Sequence, residues 1–310
     1  MSLAMRDAFG KKLAELGAVH PELVVLDADV SSSTKSNIFA EKYPDRFFNC
    51  GVAEANMAGV AAGLATCGLR PVINAFSIFL SLKATDQIRN DICYNNLPVI
   101  IAGSYGGLSD SYDGASHQSI TDIAIMRALP NMQVIVPADS NQAELALEYA
   151  LQQNGPVFIR INRNALPELP GKKDFTEKKV IKCTTGTDIT IAANGITASF
   201  AMEAFETLKK QGIHAEVFSV PFVKPFDIKP IAASIKKTGK LLCIEEHVLK
   251  GGFTGAVCEE LMKKKITCEF DAIGIEDTFT ETGDYFKLLA AYGLSAGNVV
   301  KRVKKLCKNH

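Results

Sequence analysis

The sequence predicts an α/β protein of two domains, each a mostly parallel sheet covered by helices. Three observations carry that expectation. Short β-branched runs alternate with segments of helical spacing along the chain. The strand candidates lack polar alternation, so both of their faces must be covered, as in a parallel sheet flanked by helices. One stretch, Asn164 to Asp188, interrupts the pattern with proline, glycine and clustered charge, after which the alternation resumes. A length of 310 residues accords with two domains of ordinary size.

In chain order, MRDAFGKKLAELG has apolar residues at helical spacing and a glycine stop. LVVLDAD is a buried strand, VAEANMAGVAAGLATCG a helix ending at glycine, and RPVINAF a strand. FLSLKATDQIRNDICYN is predicted as one amphipathic helix and LPVIIAG as a strand. A polar loop, SYGGLSDSYDGASHQ, follows. TDIAIMRAL, MQVIVPA, NQAELALEYALQQ and GPVFIRI then read as helix, strand, helix and strand. These elements form a first domain over 1–165, and 166–186 reads as a linker. The second, smaller domain over 187–310 has strands DITIAA, HAEVFSV, KLLCIEE and ITCEFDAIG. Its helices are TASFAMEAFETLKKQG, DIKPIAASIKKTG, FTGAVCEELMKKK, KLLAAYG and SAGNVVKRVKKL.

Composition narrows the function. Thirty-four basic residues balance thirty-four acidic ones, which argues against a nucleic-acid or membrane-surface partner. The longest apolar stretch, Val52 to Leu69, approaches a membrane span but is alanine-rich and carries Glu54 and Asn56, so a buried soluble helix is expected. The eight cysteines form no C-x-x-C pair and no spaced Cys/His set, so no metal site is expected on this chain. Such unpaired thiols, together with an N-terminus without a signal core, lead to the expectation of a cytoplasmic protein.

Ligands of open parallel sheets gather at the carboxyl ends of the strands. Here those ends fall after Asp27, around Phe76 and in the loop after Gly103, where polar residues are dense. Glu54 is the one carboxylate between Asn49 and Leu69. It is either an N-terminal helix residue partly facing solvent, favoured by the helix dipole, or an acid held in a dry site to share a proton with a ligand. The small residues around it would let a flat ligand approach. In the polar loop, His117 lies four residues after Asp113, a spacing that allows an acid/base pair. Phe76 and Phe79 read equally as core residues.

Taken together, LDADVSSSTK, CGVAEANMAGVAAGLA, FSIFLSLKATDQIRND and YDGASHQ resemble, in order and spacing, the C-terminal half of transketolase. The likeness is strongest to the small subunit of the split, two-chain enzymes, and it covers nearly the whole chain. It implies a thiamine diphosphate-enzyme pyrimidine-binding domain followed by a transketolase C-terminal domain. It implies that Glu54 hydrogen-bonds the aminopyrimidine of thiamine diphosphate and sets its tautomer. Phe79 would stack on that ring with Phe76 beside it, and Asp29 would lie near the thiazolium. Asp113 and His117 match the D-G-x-x-H-Q motif, which contacts donor-sugar hydroxyls. Arg6, Ser33 and Arg163 fall where the family places sugar phosphate, with Arg160 a second candidate in place of Arg163. Two positions depart from the family: Leu82 stands where a tyrosine is frequent, and Tyr105 where a histidine is.

The family holds the diphosphate through Mg or Ca on a G-D-G motif followed by asparagine, and no GDG occurs in this chain. The resemblance therefore implies a partner subunit, the N-terminal half carrying GDG and Asn, in an assembly of two copies of each chain. The glycines Gly59 and Gly63 either serve that contact or pack within the chain. The activity implied is transfer of a two-carbon ketol unit between sugar phosphates. Alternatives are chemistry like that of 1-deoxyxylulose-5-phosphate synthase or of a 2-oxo acid dehydrogenase beta subunit, and a non-enzymatic regulatory α/β protein.

Overall fold

The computed structural model describes residues 3–170, 175 and 180–308. Residues 171–174 and 176–179 of the predicted linker lie outside the described residues. The first half supplies strands β1 (Leu23–Asp27), β2 (Phe47–Asn49), β3 (Arg70–Phe76), β4 (Ile100–Ser104), β5 (Gln133–Ile135) and β6 (Val157–Ile161). The second half supplies β7 (Ile181–Lys182), β8 (Ile189–Ala193), β9 (Ala215–Ser219), β10 (Phe222–Lys224), β11 (Lys240–Val248) and β12 (Glu269–Ile275). They build two mostly parallel sheets, ordered β10-β5-β6-β4-β3-β1-β2 and β12-β11-β8-β9-β7.

Burial on both faces explains the near-continuous apolar strands. All five residues of β1 are buried; Leu23 and Val25 enter one core and Val24 and Leu26 the other. Helices Met5–Leu16 and Ser140–Leu151 cover the first face, and helix Glu54–Thr66 with the turns after β3 covers the second. Asp139 starts helix Ser140–Leu151 by accepting the Gln142 N–H at 2.8 Å.

Strand β7 (Ile181–Lys182) lies inside the predicted linker 166–186 and pairs antiparallel with β9, and two further features differ from the sequence-based expectation. FLSLKATDQIRNDICYN is not one helix but Ser77–Leu82, Thr85–Gln87 and a wider-pitched turn, Ile88–Cys93. The Phe79 carbonyl accepts both Lys83 N–H (2.9 Å) and Ala84 N–H (3.2 Å), so the helix loosens where Lys83 leaves it. The second feature is β10, which lies in the second half of the sequence yet pairs antiparallel with β5 and closes one edge of the first sheet. Among the described residues, no helix is long and apolar enough to cross a membrane.

Candidate active site

The ends of β1, β3, β4 and β6 converge on one region of the first sheet. Asp27, the last residue of β1, is wholly buried, and its carboxylate accepts from Val30 N–H (2.6 Å), Thr34 Oγ1 (2.8 Å) and Ser36 Oγ (2.8 Å). Burial raises its pKa while these donors hold it back. The network shapes the following loop, which carries Asp29 and Ser33. Asp29 is exposed and accepts from Asn49 Nδ2 at 2.8 Å; Ser33 offers its backbone carbonyl to Arg6 Nη1 at 3.1 Å.

Glu54 is the first residue of its helix and only 3% exposed. Its Oε2 meets Lys83 Nζ at 2.7 Å, and the same Nζ lies 4.8 Å from the centre of the Phe79 ring. The buried carboxylate and the Phe79 face therefore flank one point, held by a lysine side chain that is 49% exposed. Phe76 and Phe79 are half-buried and stacked 5.9 Å apart, and the His117 ring meets Phe79 edge-on at 5.2 Å. A half-buried aromatic face beside a buried carboxylate fits a flat heterocycle with a protonable ring nitrogen.

Tyr105, the residue after β4, adopts a φ of 61°, uncommon for a side chain of this size. That backbone sets its ring against Phe76 (4.6 Å) and beneath both arginines: Arg6 at 5.5 Å and Arg163 at 5.0 Å. Arg6 also donates to the Tyr105 hydroxyl. Arg6, Ser33, Arg163, Phe76, Phe79 and His117 are thus brought together around Tyr105 and Glu54. Asp113 and His117 are not hydrogen-bonded to one another; His117 Nδ1 meets Ser116 Oγ at 2.9 Å, and Asp113 lies beside Asp110.

Arg160 is engaged elsewhere. It is buried, donates to Asp122 Oδ2 through Nε (2.8 Å), and donates through Nη2 to the carbonyls of Ser119 (2.7 Å) and Glu246 (3.0 Å). Burial alone would disfavour both charges, but each ion and their hydrogen bonds reverse this, leaving Asp122 below and Arg160 above its ordinary pKa. The second half of the chain holds the loop after β4 through this network. Glu246 accepts from Leu108 N–H (2.9 Å) and Tyr285 Oη (2.9 Å), and Gln118 Nε2 donates to the Glu281 carbonyl (2.9 Å). Gly107, at a φ of 67°, admits this contact because any Cβ would collide with the Glu246 carboxylate.

Burial, opposed by Arg160 and these hydrogen bonds, raises Glu246 to about 7. A carboxyl raised on folding contributes most below its ordinary value and loses that contribution as pH rises through the folded one. Stability against urea is expected to fall between about pH 5 and pH 7 through this group, by at most about 1.4 kcal/mol per unit. Glu246→Gln should make that segment shallower by this group's share, leaving the share of Asp110, which burial also raises to about 7, as checked by urea titrations across the range.

No sequence motif singles out Lys83, Asp110, Tyr105 or Glu246, which the fold brings to this region. Only Tyr105 left a signal, as a departure from the usual histidine. Among the described residues no cluster of His, Cys, Asp and Glu could hold a metal ion, and all eight cysteines are free.

Comparison with known proteins gives this geometry a family. The model for the transketolase pyrimidine binding domain matches residues 1–168, and that for the transketolase C-terminal domain matches residues 178–299. A Methanocaldococcus jannaschii protein, provisionally named transketolase C-terminal section, is 39% identical over 307 residues, covering 98% of this chain and 96% of its own. The 1-deoxy-D-xylulose-5-phosphate synthase of Desulforudis audaxviator is 35% identical over 303 residues; this chain spans only 48% of its length. A solved structure, described as a split gene transketolase, inactive beta4 tetramer, superposes with a TM-score of 0.91 at 42% identity, covering 99% of each chain. With both domain models matched in order over almost its full length, the chain belongs to the transketolase family.

Proposed function

We propose that this chain is the small subunit of a two-chain, thiamine diphosphate-dependent transketolase, moving a two-carbon ketol unit between sugar phosphates. The observation that carries the reading is the buried Glu54 carboxylate set against the half-buried Phe79 face at the carboxyl end of a parallel sheet. Glu54 would hold the aminopyrimidine ring by a hydrogen bond to its nitrogen, with Phe79 and Phe76 against its face. Lys83, being half exposed, is free to turn into solvent as a ring seats. Asp29 would face the thiazolium side. When bound, the cofactor supplies the electron sink for breaking the ketose carbon–carbon bond.

The rest of the chemistry belongs to side chains of this subunit. His117 and Asp113 bind sugar hydroxyls, and His117 moves a proton at the carbonyl end. Arg6, Arg163 and Ser33 receive the phosphate; the bonds of Arg160 to Asp122 favour Arg163 over it for that role. The division into 1–165, a linker over 166–186 and 187–310 is the working domain map. A partner carrying GDG and asparagine would bind the diphosphate and its Mg or Ca, giving two copies of each chain in a cytoplasmic enzyme. The helix Glu54–Thr66 offers a face for this contact. A side chain at Gly63 would meet nothing within 4 Å, and Val60 is 41% exposed.

The test is reconstitution. The chain, mixed with an N-terminal-half subunit, thiamine diphosphate and Mg, should release aldose phosphate from ketose phosphates in the presence of an acceptor. Either chain alone should be inactive. Release of carbon dioxide from pyruvate with glyceraldehyde 3-phosphate instead would favour the deoxyxylulose-phosphate synthase reading, which the 35% identical relative supports. Full activity of this chain without a partner would overturn the assignment.

A further inference from the structure

Beside the two arginines stands a residue of the opposite sign. Asp110 is wholly buried, and Arg163 Nη1 stands 3.5 Å from its Oδ1, long for a hydrogen bond. Neither of its oxygens accepts a hydrogen bond from the described residues. Asp113 lies close enough to share a proton with it. The Tyr105 ring centre lies 5.0 Å from the Arg163 guanidinium and 5.5 Å from that of Arg6. Two cations and two carboxyls thus lie together, and the buried carboxyl lacks the donors such a group ordinarily has.

We propose that Asp110 is a built-in counter-ion for Arg163 that gives way, by taking a proton from solvent, when the anionic end of a substrate seats between Arg6 and Arg163. The ligand class rests on the sugar-phosphate reading above; the residue rests on the geometry alone. The two arginines cannot neutralise a doubly charged anion and two ionised carboxylates together, and like charges at short range disfavour ionisation. Once protonated, Asp110 becomes a donor and can bond an anion oxygen. The charged groups facing it are Asp113, Arg163 and Arg6; burial and then Asp113 push it up to about 7, against the pull of the arginines.

The sign follows. Below about pH 7 Asp110 already carries the proton, and an anion meets a neutral neighbour. Above it, each unit of pH weakens anion binding by up to about tenfold, while a neutral sugar is unaffected. Asp110 thereby selects between charged and uncharged substrates according to pH.

Sulfate is a suitable probe because it does not itself titrate near neutrality. Calorimetric titration of the full chain with sulfate at pH 8, in two buffers of different ionisation enthalpy, reads the protons taken up. Nearly one proton is expected for the natural chain and none for Asp110→Asn, which should bind sulfate about tenfold more tightly at pH 8. Arg163→Gln should remove binding in both backgrounds. No uptake in the natural chain, uptake unchanged in Asp110→Asn, or binding indifferent to Arg163→Gln would overturn the proposal. If Asp110→Asn does not fold, Asp110→Ser makes the same comparison, and the natural chain's pH dependence stands without a variant. Because no cofactor, partner or turnover enters, this outcome is read separately from the reconstitution.

Discussion

Glu54→Gln is expected to reduce turnover of the reconstituted enzyme by about 10² to 10⁴-fold, the usual worth of a positioned proton-sharing group, while leaving the chain folded. Glutamine keeps the shape of the side chain but cannot hold a proton between itself and a ring nitrogen. The structural loss is small. Removing the carboxylate releases Lys83, but that side chain is half exposed and regains water, so the cost should stay within about 1 kcal/mol. Steady-state kinetics with the partner, alongside thermal unfolding of the chain alone, separates the two effects. Turnover within threefold of the natural enzyme would show that Glu54 is merely a buried helix-start residue.

Arg160→Met should show the opposite pattern, a loss of stability with no direct part in chemistry. It would leave Asp122 buried with only Ser77 Oγ (2.6 Å) and its neighbour's N–H, the Ile123 amide (3.0 Å), as donors. It would also leave the Ser119 and Glu246 carbonyls without their guanidinium donor. Breaking one member of a buried ion pair ordinarily costs about 3–5 kcal/mol. The pH response has a definite sign: the Asp122 carboxyl lies below its ordinary value, so its contribution is present near neutrality and is lost as pH falls through the folded pKa. Urea unfolding at pH 7 should show the large shift, and Arg160→Met combined with Asp122→Asn should recover part of it. An unchanged midpoint for Arg160→Met would mean that solvent reaches Asp122.

The two sheets were legible because their strands obey a local rule: runs such as LVVLD and VFIRI show no regular alternation of polar and apolar residues. The site was legible only as far as motifs in one stretch of chain carried it. Glu54 stood out as a charge among alanines. Its ion-pair partner did not, since Lys83 looks like any surface lysine and meets Glu54 only through the fold. Asp110 was hidden in a serine-rich loop where aspartate is ordinary; its burial comes from packing, not from its neighbours in sequence. Glu246 sits in a strand with a second acid, Glu245, and nothing in KLLCIEE says that one of them holds the glycine turn of another domain. The helix after β3 failed for a local reason that periodicity does not see: the Phe79 carbonyl takes two N–H donors and the pitch changes.

The short strand β10 has a practical consequence. Because Phe222–Lys224 borrows the free side of β5, a fragment cut within the connecting segment would bare unpaired backbone along Gln133–Ile135. Such a piece would be prone to stick to copies of itself. Expression trials that treat the halves as separable modules should therefore yield insoluble material, whereas grafting 220–226 back onto the first half by a flexible tether should restore a well-behaved protein.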